Sequence, residues 1–180
     1  MSQAVHIRRL EALDDPRRLA ELCDVLIDCV DGGASVSFMH PLARSKAEAF
    51  WRTVAEGLAR ADRVLLVAHE GDGRIVGTVQ LLWAQPENQP HRADVSKMLV
   101  HRRARRRGIG VALMTAAEQA AREAGRTVLV LDTASGEAER LYQRLGWQRC
   151  GTIPEYALWP RGGPCATTVY FKTLAASQNV

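Results

Sequence analysis

Five arginines fall within the seven residues His101–Arg107, and the last three run directly into Gly108-Ile109-Gly110. That combination suits one kind of chemistry, the holding of an anion. Glycines let a backbone approach a charged group closely. A helix beginning there presents unpaired N–H groups and a partial positive charge. Arginines add full charge. The expected ligand is a pyrophosphate, and the alternative is a solvated basic helix start with no ligand. Other phosphate motifs fail. No G-x-x-x-x-G-K-[ST] occurs, which excludes a P-loop nucleotidase, and a dinucleotide fingerprint would need a third glycine near Leu113.

Metal and thiol chemistry find little support. Cys23, Cys29, Cys150 and Cys165 form no C-x-x-C pair, and no H-E-x-x-H helix occurs. Reduced thiols buried as small hydrophobes are expected, with no metal site.

The elements that position the basic turn follow from periodicity. Residues 5–13 read as a strand. Asp15-Pro16 opens a helix whose apolar repeat runs from Leu19 to Val30 and ends at Gly32-Gly33. Pro41 is expected to open a second helix, to about Arg60, with Phe50, Trp51 and Val54 on one face. Residues 64–70 and 75–84 read as strands about a Gly71–Arg74 turn, and 93–100 as a central strand. A helix over 108–124 carries the stripe Ile109, Leu113, Ala116, Ala117, Ala120 and Ala124. The run 127–132 is apolar throughout, as in a strand buried on both faces. Ser135 caps a helix ending at Gly146, and 147–151 and 167–174 form the last strands about a Pro- and Gly-rich loop. This order defines an α/β (α+β) domain with a mixed sheet, expected to be one domain over 1–180.

Composition agrees. The chain is 47% hydrophobic and 24% charged, enough to bury a core without disulfide or metal staples. Its apolar runs are far shorter than the roughly 20 residues of a membrane span. With no apolar leader segment, the expected location is the cytoplasm. Aromatics make up only 6%, few for base stacking, so no nucleic-acid partner is expected despite a net charge of +4.

The sequence RRRGIG after ADVSKMLV resembles the R/Q-x-x-G-x-G/A motif of the GNAT acetyltransferase superfamily. SGEAERLYQRLGWQRCG at 135–151 resembles the A-x-x-L-Y-x-x-x-G-F/W segment that follows in that family. GGASVSFM, RADVSKMLV and TTVYFKTL are further similar to the subgroup containing the tabtoxin-resistance acetyltransferase. The resemblance implies a mostly antiparallel sheet of about seven strands with about four helices, its central strands splayed around acetyl-CoA. Arg105, Arg106, Arg107, Gly108, Ile109 and Gly110 then match the pyrophosphate loop. Met98, Leu99 and Val100 match the strand that pairs with the pantetheine arm, with a backbone N–H near Leu99 for the oxyanion.

The implied reaction is direct attack of an amine on the thioester, the acceptor being a small, amino-acid-like molecule such as a toxin or antibiotic. Asp94 stands where family members often carry a glutamate base; it could equally pair with Arg92. Asp132 ends the apolar strand, where ligand sites of α/β sheets form; it could equally cap the next helix. Tyr142 matches the tyrosine that protonates the leaving thiolate, a phenol of pKa about 10 giving a proton to a thiolate near 8.5; it also falls on the apolar stripe Ala138, Leu141, Tyr142, Leu145. Ser135 stands where many members have a cofactor-contacting asparagine. Loops 32–40, 85–92 and 153–165, with Trp83, Glu155, Tyr156 and Trp159, would face the acceptor. A protein-directed acetyltransferase and a non-catalytic acyl-CoA binder are the remaining readings of the same fold, and a nucleic-acid-binding module using the basic loop is the alternative from a different class. Many relatives dimerise, so a homodimer is open.

Overall fold

A computed structural model describes residues 5–83 and 85–175. Seven strands form one sheet: β1 (His6–Leu10), β2 (Arg63–His69), β3 (Ile75–Leu82), β4 (Arg92–Val100), β5 (Val128–Thr133), β6 (Gln148–Leu158) and β7 (Pro164–Thr173). Four α-helices accompany it: α1 (Pro16–Asp31), α2 (Arg44–Ala59), α3 (Ile109–Glu123) and α4 (Gly136–Arg144). The strand order is β1-β2-β3-β4-β5-β7-β6, with β4–β5 the only parallel pair among the described residues. The mixed, mostly antiparallel α/β sheet expected from the sequence is therefore present.

Strand alternation builds two cores, one on each face. On β2, Leu65 and Val67 pack with Leu22, Leu26 and Trp51 of α1 and α2. Val64, Leu66 and Ala68 pack with Ile109, Leu113 and Met114 of α3 on the other face. Gly77 on β3 allows α3 to lie close. A Cβ there would stand 3.0 Å from the Leu99 carbonyl and 3.1 Å from the Leu113 side chain.

The Asp15 carboxylate caps α1 at the Arg17 N–H, 2.9 Å away, with Pro16 at the first helical position as expected. Other boundaries differ. β1 ends at Leu10, and α2 begins at Arg44, because Pro41 lies in the preceding segment, where the His40 N–H donates to the Pro160 carbonyl. The buried stripe of α3 includes Met114, Glu118 and Ala121, while Ala124 falls outside the helix. Cys150 is exposed; the other three cysteines are buried.

The largest departure is at 152–166, expected as a loop and found as the arms of a long β6–β7 hairpin turning at Trp159–Gly163. Pro154 obscured it. β6 is an edge strand with a register shift between Ile153 and Ala157, and a proline is tolerated at such a bulge.

Candidate functional site

β4 and β5 are paired only over Arg92–Asp94 and Val128–Val130. Among the described residues, Leu131, Asp132 and Thr133 beyond that point pair with β7 alone, and β4 from Val95 to Val100 has no strand partner on that side. The sheet parts into the splay that the family resemblance implied. The resulting cleft has a volume of about 690 Å³ and is lined by β4, the loop after α1, the start of α3, the end of β5 and α4. Its β4 edge, without a neighbouring strand among the described residues, is open to an extended ligand.

The turn into α3 closes one end. Gly108 caps the helix at φ +77°, where glycine is favoured, and a Cβ on it would meet nothing within 4 Å. Gly110 is tighter; a Cβ there would approach Leu141 Cδ2 to 3.1 Å. The open αL cap, small residues and α3 N–H groups fit a pyrophosphate, and the free β4 edge fits its pantetheine arm. Met98, Leu99, Val100, Arg105, Arg106, Gly108, Ile109, Gly110 and Ser135 all line the cleft.

The arginines divide their roles. Arg107 does not line the cleft; its guanidinium bonds Glu70 at 2.6 Å. Arg103 also reaches Glu70, and Arg102 holds Asp28 at 3.0 Å. Arg105 Nε donates to the Val100 carbonyl at 3.1 Å. Arg106, exposed and at φ +61°, has no carboxylate within 4 Å among the described residues.

The candidate catalytic groups do not all gather. Asp132 lines the cleft, and its Oδ2 accepts a hydrogen bond of 2.7 Å from the Thr167 hydroxyl of β7. It does not cap α4; Ser135 does, its Oγ accepting from the Ala138 N–H at 3.4 Å. Tyr142 on α4 lines the same cleft, its ring packed 5.9 Å from both Trp147 and Tyr170. No hydrogen bond reaches its hydroxyl among the described residues. Burial first, and the Asp132 charge second, push that hydroxyl well above the usual tyrosine range. The near match of phenol and thiolate acidities expected from unperturbed values is therefore lost.

Asp94 is placed elsewhere. It sits on the still-paired part of β4, ion-paired with Arg92 and hydrogen-bonded by Gln85 Nε2 at 3.1 Å, and it is not among the residues lining the cleft. The pairing with Arg92 that the sequence left open is the arrangement found. Trp83 lies under the Arg126 guanidinium at 5.1 Å rather than in the cleft. Neither Glu155, Tyr156 nor loop 85–92 lines it; Trp159 and residues 32–37 do.

Sequence reasoning missed Thr167 and Lys97. Thr167 belongs to an alternating strand and carries no signal of its own. Lys97 sits at φ +50° where the β3–β4 register shifts between Ser96 and Leu99. A bulge re-aims a side chain, and the only hint of it was that Lys97 breaks the polar–apolar alternation running from Arg92 to Ser96.

A splayed sheet with an anion-ready turn at its central helix defines an acyl-CoA-dependent transferase fold. The sequence model of the GNAT acetyltransferase family matches residues 34–147. An uncharacterised N-acetyltransferase in the hisH–hisA intergenic region of Azospirillum brasilense is 35% identical over 137 residues, 75% of this chain and 76% of the relative. An N-acetyltransferase structure from Staphylococcus aureus superposes with TM-score 0.77 at 20% identity, covering 96% of this chain and 99% of the other. A Salmonella typhimurium structure, YncA with its cofactor acetyl-CoA, gives TM-score 0.77 at 18% identity over 98% and 99%. The chain belongs to the GNAT acetyltransferase family. It is an N-acetyltransferase, and acetyl-CoA is its acyl donor.

Proposed function

We propose that the acceptor is the amine of a small molecule, acetylated directly in the cleft between β4 and β5. The observation that carries this reading is that Asp132 and Tyr142 line the same cleft as the free edge of β4. Bound acetyl-CoA supplies a thioester carbonyl. The β4 backbone from Met98 to Val100 orients the pantetheine arm, and an N–H near Leu99 faces the carbonyl oxygen. Arg105, Arg106 and the Gly108–Gly110 backbone take the pyrophosphate, with Ser135 at the α4 end. Arg107 acts through Glu70, fastening the turn to the end of β2.

Asp132 takes the proton of the incoming ammonium, a task that suits a carboxylate held by Thr167 at the open end of the cleft. Asp94 is bound up with Arg92 on the closed part of the sheet and fits a positioning role there. Tyr142 faces the departing sulfur. Its pKa, raised by burial, keeps the hydroxyl protonated through the neutral range, so it serves as a donor to the thiolate.

A small acceptor is favoured over a nucleic acid or a protein tail by the fate of the basic run. Arg102, Arg103 and Arg107 are tied to Asp28 and Glu70, which leaves Arg105 and Arg106, both lining the cleft, as the arginines of the run without a carboxylate partner among the described residues. A resistance role against an amino-acid-like toxin, as in the tabtoxin-resistance subgroup, is one setting for such an activity.

Calorimetric titration with acetyl-CoA, beside an Arg106→Glu/Gly108→Asp variant, followed by thiol-release assays on a panel of small amines, tests this reading. Micromolar binding lost in the variant and turnover of a small amine are expected. Turnover of peptide lysines or N-termini alone would overturn the small-molecule assignment.

A further inference from the structure

Lys97 has no role in the acetyl transfer just described, yet it lines the cleft. Its positive φ lies at the register shift of β4. The half-buried ammonium donates to Ser37 Oγ of the loop after α1 at 3.1 Å and lies 5.7 Å from the Phe50 ring of α2. Both contacts belong to the α1–α2 side, away from the arginines of the α3 turn. No carboxylate comes within 4 Å of it among the described residues. The nearest influence of opposite sign is Asp132, felt through space but not in contact.

A desolvated cation without a counter-ion is costly, and proteins retain one chiefly where an anion will meet it. Burial accordingly pushes the Lys97 ammonium below the usual lysine range, with Asp132 opposing. Lys97 and Asp132 stand on β4 and β5, the two strands that part, so the cleft presents a cation on one wall and a carboxylate on the other. An acceptor that fills it should carry the opposite pair, an amine for Asp132 and an anion for Lys97.

We propose that Lys97 is the specificity-determining residue of the acceptor site and holds the carboxylate of an amino-carboxylate acceptor. This rests on the acetyltransferase reading above and adds a demand that reading does not make. Ser37 orients the ammonium when the cleft is empty, and the acceptor carboxylate takes its place beside Lys97. The Phe50 face shields the pair from water, which strengthens it.

The test is a thiol-release assay at saturating acetyl-CoA with L-methionine, L-phenylalanine and β-alanine, each beside its decarboxylated or carboxyl-esterified amine. Wild type is expected to favour a free acid over its uncharged partner at least tenfold in kcat/KM. Lys97→Met should reduce that ratio tenfold or more, and Lys97→Arg should restore most of it. The change in ratio is the readout because the intrinsic reactivities of the two amines cancel between variants, and a merely structural lysine would lower both substrates together. Equal loss on both, a preference for the uncharged partner in wild type, or turnover of no free acid would overturn the proposal. So would acetylation of Lys97 itself, found by mass spectrometry, without any preference for acids. Acetyl-CoA titration of the same samples separates the two readings. Wild type that fails to bind the donor refutes the acetyltransferase assignment, whereas donor binding without acid preference refutes the role of Lys97 alone.

Discussion

Thr167, buried on β7, donates its hydroxyl proton to the Asp132 carboxylate across 2.7 Å, joining the last strand to the open wall of the cleft. A hydrogen bond to a charged group contributes about 1.5–3 kcal/mol. Thr167→Val is therefore expected to lower kcat by about tenfold, with acetyl-CoA affinity retained. Asp132→Asn removes the carboxylate proposed as the base and should lower kcat by about a hundredfold or more. Steady-state kinetics beside donor titration checks both. Full activity in Asp132→Asn would move the base elsewhere.

Tyr142→Phe removes the hydroxyl proposed as the proton donor to the thiolate while keeping the ring packed on Trp147 and Tyr170. The expected result is a kcat lowered by about tenfold or more with little change in donor affinity. Because the hydroxyl is shifted upward, its ionisation should impose no fall in wild-type kcat from pH 7 to pH 10. A loss of rate near pH 10 that disappears in Tyr142→Phe would contradict this assignment.

Burial raises the thiols of Cys23 and Cys29 from 9.0 to about 11. Between those values the unfolded chain loses these protons and the folded chain keeps them. Stability is thus fully present below about pH 9 and falls as pH rises toward 11, by about 2–3 kcal/mol for Cys29. Tm measured across this range should decline, and Cys29→Ala should flatten the decline. At neutral pH one thiol, exposed Cys150, should react quickly with a thiol reagent.

Glu118 on α3 is nearly inaccessible and accepts from Lys172 Nζ at 2.7 Å and from Trp147 Nε1 at 3.0 Å. Glu118→Ala leaves the Lys172 ammonium without its carboxylate and should cost about 3–5 kcal/mol. Urea unfolding measures the loss, and Glu118→Gln should recover part of it by keeping the Trp147 bond.

Gly108 and Gly110 separate strain from fit. Gly108→Ala forces an L side chain to φ +77° in open space and should cost about 1–2 kcal/mol of stability. Gly110→Ala crowds Leu141 where α3 meets α4, so acetyl-CoA affinity should fall more than stability. Paired unfolding and calorimetric measurements distinguish the two.

Much of this architecture was legible in the residues. Asp15-Pro16, the Gly71–Arg74 turn and the RRRGIG turn each announce their local geometry, because caps, positive-φ glycines and charge act over a few residues. The part of the site assembled by tertiary placement was not legible. Asp94 and Asp132 look alike in sequence, and only the point at which β4 leaves β5 tells them apart. The long hairpin was hidden because Pro154 and the Gly162-Gly163 turn read as a loop, while the pairing that makes it a strand comes from β7. Lys97 escaped notice because a bulge is a matter of register between strands, which no single segment carries.

β7 lies between β5 and β6, and the hairpin it forms reaches back to the loop after α1 through Ser35–Leu158 and His40–Pro160 bonds. A chain synthesised from its N-terminus therefore has the anion-holding turn well before it has the strand that carries Thr167. The proposed acceptor wall is finished only when β7 has slotted between β5 and β6, so the order of synthesis alone would delay catalysis until then.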